Sequence, residues 1–508
     1  MSGFATLGFG LEWFIQNPIS FVYLILGVFF GMVFGAIPGL TAALAVSLIL
    51  PFTYAMVAQN GLITLVAIYV GGISGGLCSA ILLNIPGTPS SLVTCFDGSP
   101  MARSGRAGQA LGLGVFASLL GGIFSAFALI LIAPQLAKVA LAFGSWEYFA
   151  MGIMGLSVVI SLCSGQDLIK GLIGAVIGIF LGSVGLDNVS GVPRFTFGAW
   201  QLYAGFSNLA TLMGLFALAE ILGQVGHLNQ HGKLIEHEKV GFFPKKQFFF
   251  GHIKNYLTSA TLGTIIGILP GVGQSTASMI AYNTQVQVSK HPETFGKGDP
   301  DGVIASETAN NAVCGGALIP MLTMGIPGDT VTAILLGGLV VHGLAPGPLL
   351  FQTNTDLIGA VFMAYVIANF VMYAMFMGLM NVFIKLLTIP LKYMFPLLLV
   401  MCSLGSFTIN NRIFDIWVLF GIGILGYILV NCGFSLPPIV LGYILSGMIE
   451  SNFRTAIIGA EGNFAAVFNR PIALALLAVS IIMFVFPIIK MAIKKKKGSK
   501  DDRPIVEG

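Results

Sequence analysis

Four Pro-Gly pairs in repeat register are the residues whose chemistry stands out first: Pro38-Gly39, Pro86-Gly87, Pro270-Gly271 and Pro327-Gly328. Proline withholds a backbone donor and glycine accepts strained dihedrals, so a helix stops at Ile37 or Ile85 and restarts a residue or two later. A restarting helix points unpaired N–H groups, with a partial positive charge, into the break. In a dry interior such an end attracts a carboxylate. Neutral amide and hydroxyl oxygens nearby suit a hard cation such as sodium, without the cost of a buried lysine. The breaks are rich in them: Thr41, Ser74, Asn84, Thr88 and Thr94 in the first half, Gln274, Ser275, Asn310, Asn311, Thr323 and Thr332 in the second. The candidate carboxylate contacts are therefore Pro38, Gly39, Asn84, Pro86, Gly87, Thr88, Pro270, Gly271, Asn310, Asn311, Pro327 and Gly328. Candidate sodium ligands are Asn310, Asn311, Thr323 and Asn84. The adjacent amides Asn310 and Asn311 stand out, because two amides in an apolar helix are expensive without a ligand. Asp329, directly after Pro327-Gly328, reads as a helix cap. Glu307 reads equally as a carboxylate that complements a helix start or as a functional group.

Other chemistries find less support. Gly72-Ile73-Ser74-Gly75 has the form of a serine nucleophile motif, and His342 lies in a later apolar segment, as in an intramembrane serine protease of the rhomboid kind. That reading requires nucleophile and base to meet. The histidines 227, 231, 237, 252 and 291 lie in charged loops without metal-ligand spacing, and no Gly-Lys-Ser phosphate loop exists. No cofactor is expected, and the energy source is an ion gradient or another subunit. The six cysteines are scattered with no CxxC pair, so they read as packing residues. A basic folded domain is missing, so nucleic acid is not an expected partner.

The elements that must position these residues are membrane helices. Hydrophobic residues make up 56% of the 508 and charged residues 9%, with a mean hydropathy of +0.92. A water-soluble surface needs far more charge, so lipid is the main solvent. Apolar stretches long enough to cross roughly 30 Å of hydrocarbon recur along the chain. The expected fold is an all-α polytopic membrane protein of about a dozen transmembrane helices plus broken or re-entrant segments. Two signatures occur twice in order. Gly35–Leu40 pairs with residues 267–272, and residues 84–88 pair with 325–329; a glycine pair precedes the second signature in each half (Gly75-Gly76, Gly315-Gly316). Positive charges set orientation. The first one is Arg103, so the N-terminus is expected on the periplasmic side. Arg103 with Arg106, the lysine-rich loop 227–254 and the tail with Lys494–Lys497 are expected in the cytoplasm. The two halves then enter from opposite faces, the inverted-repeat plan of secondary transporters. The expected divisions are a first repeat with associated helices over 1–226, the loop 227–254, a second repeat over 255–493, and a basic tail over 494–508.

Longer motifs carry a family resemblance. Residues 35–40, Asn84–Gly87 on to Thr94-Cys95-Phe96-Asp97-Gly98, Pro100-Met101-Ala102 and Ala107-Gly108-Gln109-Ala110-Leu111-Gly112 resemble the large transmembrane subunit of the tripartite tricarboxylate transporter family. So do Tyr148-Phe149-Ala150, Arg194-Phe195-Thr196-Phe197, residues 267–273, Phe295-Gly296-Lys297-Gly298-Asp299, residues 307–312 and Pro320 through Gly328. The resemblance implies uptake of a di- or tricarboxylate across the bacterial inner membrane, driven by an ion gradient, usually sodium. It also implies a small four-helix membrane subunit and a periplasmic solute-binding protein as partners. A symporter independent of any binding protein is the alternative within transport. The chain departs from the family pattern at Ser74 (for Tyr), Ser99 (for Tyr) and Ser306 (for Pro), and the first and third of these bear on the identity of the carboxylate.

Overall fold

The computed structural model describes residues 2–163, 168–187, 189–225, 246–386 and 391–485. The lysine-rich stretch 226–245 and the tail 486–508 lie outside the described residues, and with them most of the charge that set the expected orientation. The chain is helical almost throughout; its strand content among the described residues is one two-residue antiparallel pair, Gly185–Leu186 with Pro193–Arg194. Among the described residues, five helical spans are long and apolar enough to cross a membrane: Ile19–Ala36, Ala58–Leu83, Pro89–Ala140, Thr355–Lys385 and Ile413–Asn431. A further seven apolar helices are shorter, among them Ala42–Thr53 and Thr330–Val341. The all-α membrane architecture expected from composition is what the chain forms.

The helices gather into two units. One holds residues 1–142 and 206–431, the other residues 143–205 and 432–508. All four Pro-Gly breaks belong to the first unit.

The breaks form for local reasons. Ile19–Ala36 ends where Ile37 turns extended before Pro38, and Ala42–Thr53 restarts under Thr41, whose hydroxyl accepts from the Leu44 N–H at 3.1 Å. In the second half Ile253–Ile268 ends at an extended Leu269, and the chain restarts as Gly273–Val288. The second signature breaks differently, through a left-handed residue. Asn84 (φ 56°) ends Leu77–Leu83, and Gly325 (φ 70°) ends Pro300–Met324. Both restarts are then tied by a side chain three residues on. The Ser91 hydroxyl accepts from the Thr88 N–H at 3.1 Å, and the Thr332 hydroxyl accepts from the Asp329 N–H at 2.9 Å.

Packing repeats with the same register. A Cβ on Gly87 would lie 2.3 Å from the Gly35 carbonyl oxygen, and one on Gly328 would lie 2.3 Å from that of Gly267. In each half, therefore, the second break rests directly on the backbone of the first, and only glycine permits the approach. Contacts between the halves are reciprocal as well. Tyr282, twelve residues after Pro270, reaches Asp97, eleven after Pro86; Leu50, twelve after Pro38, packs on Gly338, eleven after Pro327.

Candidate functional site

The helices Ala58–Gly75 and Pro300–Met324 carry the core of the candidate site. Asn310 and Asn311 are each 1% exposed, ten residues into the second of these helices. Asn311 is fully engaged: its Oδ1 accepts from Ser74 Oγ at 2.6 Å, and its Nδ2 donates to the Glu307 carbonyl at 3.1 Å. Asn310 is not. Neither its Nδ2 nor its Oδ1 has a hydrogen-bond partner. Glu307, one turn earlier, is a weak hydrogen-bonding neighbour of that amide, short of the geometry of a full hydrogen bond. An unpaired buried amide costs about 1–3 kcal/mol for each group left unsatisfied.

Around the two asparagines runs a seam of buried polar side chains. The Glu307 carboxylate, fully buried, accepts from Thr94 Oγ1 at 2.5 Å and from Ser118 Oγ at 3.2 Å. Thr94 also lies 3.2 Å from the Ser306 hydroxyl, and Thr88 lies 3.0 Å from that of Ser90. Toward the second break, Asp329 caps Thr330–Val341 by accepting from the Thr332 N–H at 2.7 Å. Its other oxygen takes hydrogen bonds from Tyr69 Oη and from Gln274 Nε2. The capping role expected of Asp329 is therefore present, with two further donors from distant helices.

Of the other nominated residues, Pro38, Gly39, Pro270 and Gly271 form the two first-signature turns, with Gly39 (φ 85°) and Gly271 (φ 68°) left-handed. Pro86, Gly87, Pro327 and Gly328 form the second-signature turns. Thr323 turns back on its own helix, donating to the Ile319 carbonyl at 2.7 Å. Asn84 and Pro86 line a cavity of about 350 Å³ together with Cys95, Phe96, Ser99 and Arg103. The exposed Arg103 guanidinium gives this mouth a positive charge. Two of the three family departures sit in the seam: Ser74 holds Asn311, and Ser306 meets Thr94.

Ser74 and His342 do not meet. His342 Nε2 lies against Gly61, near the opposite end of the Ala58–Gly75 helix from Ser74. At about 1.5 Å per residue the two are on the order of 20 Å apart along that helix. The serine-nucleophile alternative fails on this geometry.

Sequence reasoning passed over Tyr69, Tyr282 and Ser118, each of which gives a hydrogen bond to a buried carboxylate. Tyrosines in apolar helices carried no signal of their own. The corresponding positions in the repeat would have found Tyr69, because it stands where the second half has Asn310.

Broken helices, a repeated plan and a buried polar seam that, among the described residues, holds an unsatisfied amide belong to a polytopic membrane protein. The sequence comparisons make this specific: the model of the Tripartite tricarboxylate transporter TctA family matches residues 21–441, and the chain belongs to that family. An uncharacterized 52.8 kDa protein of the TAR-I ttuC' 3' region of Agrobacterium vitis is 36% identical over 491 residues, 97% of this chain and 96% of that protein. A second uncharacterized protein, from the TAR-II ttuC' 3' region of the same organism, is 33% identical over 245 residues, 48% of this chain and 99% of its own length. No solved structure matches the chain significantly.

Proposed function

We propose that this chain is the large membrane subunit of an ion-gradient-driven uptake system for di- or tricarboxylates. In this reading it works with a small four-helix membrane subunit and a periplasmic solute-binding protein in the bacterial inner membrane. Sodium is the coupling ion. Family membership supports the class, and the observation that carries the site is the Asn310 amide, buried without a fully formed hydrogen bond on the helix that leads into the Pro327-Gly328 break. A protein tolerates such a group where a ligand completes it. Asn310 offers both a donor for a carboxylate and an acceptor oxygen for a cation.

The test is uptake of radiolabelled citrate and succinate into proteoliposomes that contain the chain, its small subunit and the matching binding protein. Accumulation that requires an inward sodium gradient, and that falls at least tenfold in Asn310→Ala, is the expected result. Equal uptake without the binding protein would favour a binding-protein-independent symporter. No accumulation of either acid by a folded complex would remove the carboxylate reading.

A further inference from the structure

The two halves carry corresponding buried polar positions at their second breaks, and in one of them a carboxylate of the protein itself is held. In the second half, Asp329 follows Pro327-Gly328 and its carboxylate is enclosed by Tyr69, Gln274 and Thr332. Counting from the prolines gives the matching positions in the first half. Asp329 corresponds to Thr88, Tyr69 to Asn310, and Gln274 to Ala42. The correspondence is structural as well as numerical. The caps at Thr88 and Asp329, the stacking of Gly87 and Gly328 on Gly35 and Gly267, and the reciprocal Tyr282–Asp97 and Leu50–Gly338 contacts all follow it.

Each of the three groups that make the second pocket is replaced in the first by a shorter one. Aspartate becomes threonine, tyrosine becomes asparagine, and glutamine becomes alanine. The shortened set loses the glutamine donor at Ala42 but keeps donors in the Asn310 amide and the Thr88 hydroxyl. Asn310 occupies the position that corresponds to Tyr69, which reaches Asp329, so the repeat register pairs it with Thr88; its amide sits beside Glu307 without a fully formed hydrogen bond. Thr88 is 3% exposed and Ser90 4%. Their two hydroxyls share one hydrogen bond, so one O–H proton of the pair remains to be donated. The same break is the one beside the cavity whose wall carries Arg103, and Asn84 and Pro86 line it.

We propose that a carboxylate group of the substrate binds at the first-half break, donated to by Asn310 and the Thr88–Ser90 hydroxyl pair, in the place that the Asp329 carboxylate takes in the second half. The second-half pocket is permanently filled by Asp329 and is not a ligand site. This narrows the proposed function, on which it rests, from four breaks to one and makes substrate recognition asymmetric. It also assigns the specificity to amide and hydroxyl donors at that break, with the Arg103 guanidinium on the neighbouring cavity wall favouring an anion over a neutral ligand of the same shape.

The double variant Thr88→Asp/Asn310→Tyr tests this by rebuilding the second-half arrangement in the first. Full-length protein in nanodiscs would be assayed for equilibrium binding of radiolabelled citrate and succinate, with size exclusion and thermal unfolding as checks on folding. The expected result is a folded protein whose binding is at least tenfold weaker than wild type. Thr88→Val, isosteric and uncharged, is expected to weaken binding by about fivefold to tenfold, and it decides the question if the double variant misfolds. Wild-type affinity in either folded variant, with wild type binding measurably, overturns the subsite and leaves the proposed function standing. Absence of binding by folded wild type to both acids overturns the two together.

Discussion

Ser74 and Asn311 join the two halves of the chain by a single buried hydrogen bond, 2.6 Å from Oγ to Oδ1. Ser74 is fully buried and Asn311 1% exposed, so water cannot replace either partner. This bond holds Asn311 turned toward the first half while its neighbour Asn310 stays uncommitted. Ser74→Ala therefore strands an acceptor, and we expect a loss of about 1–3 kcal/mol in stability. Thermal unfolding in detergent measures it. Uptake per folded molecule is expected to drop only modestly, whereas a nucleophilic Ser74 would lose all activity.

Glu307 gives a second prediction, because its carboxylate is held by hydroxyls and by no cation among the described residues. Glu307→Gln keeps one acceptor oxygen, and the Thr94 and Ser118 hydroxyls can rotate to donate or accept. Its cost is expected to be about 1 kcal/mol. Glu307→Ala removes both acceptors, and about 3 kcal/mol is expected, since Thr94 is left buried with a weakened set of partners. A chemical-denaturation series that ranks alanine no worse than glutamine would show that the carboxylate oxygens do not organise this seam.

Much of this arrangement was legible before any coordinates. The four Pro-Gly breaks were visible because proline and glycine act on the backbone at the position where they stand, independent of tertiary context. The cap at Asp329 was readable for the same reason. What the sequence could not deliver was which distant side chain meets which. Nothing local distinguishes Asn310, left without a partner, from Asn311, which finds Ser74 on another helix. Tyr69 was passed over since an aromatic in an apolar helix usually needs no explanation. Thr323 donates its hydroxyl proton to its own helix, which leaves the oxygen lone pairs that a cation would use. Repeat register recovers part of the missing information: pairing Tyr69 with Asn310 requires only counting.

In the second unit, Asp187 is the hub of an ionic cluster. It accepts from Ser190, from Arg454 Nη1 at 2.6 Å and from Arg194 Nη2 at 3.2 Å, while Arg194 also reaches Glu450 at 2.8 Å. The hydrogen bond from Ser190, then that from Arg454, and the Val189 N–H hold the Asp187 carboxyl well below the usual carboxylate range. A depressed acid contributes stability that is complete above its unfolded value and is lost as pH falls through the folded one. An ordinary aspartate is protonated near pH 3.9. Hydrogen-exchange protection of the Gly185–Leu186 and Pro193–Arg194 pair is therefore expected to be as high at pH 4 as at pH 7, and to fall only in stronger acid. Asp187→Asn is expected to lose that protection at every pH. Protection that stays unchanged in strong acid would show that the cluster does not depress this acid.

Gly87 and Gly328 provide the sharpest test that the two halves share one construction. A methyl group at either position would meet a carbonyl oxygen at 2.3 Å, from Gly35 and Gly267 respectively, and further backbone behind it: Gly76 Cα at 2.9 Å in the first half and Ala317 Cα at 2.6 Å in the second. These are backbone atoms in packed helices, so no side chain can rotate away. Overpacking of this kind costs about 1–3 kcal/mol where the surroundings yield, and more where they do not. Gly87→Ala and Gly328→Ala are thus expected to destabilise by similar amounts, about 3 kcal/mol or more, with reduced yields of monodisperse protein. Gly378→Ala is the matched control, because it lies in the Thr355–Leu386 helix with nothing within 4 Å of the added Cβ. There the helix propensity of alanine is expected to leave stability unchanged or slightly raised. If Gly87→Ala proves harmless while Gly328→Ala does not, the first break rests less tightly on its partner helix than the second. The equivalence used to pair Thr88 with Asp329 would then not hold.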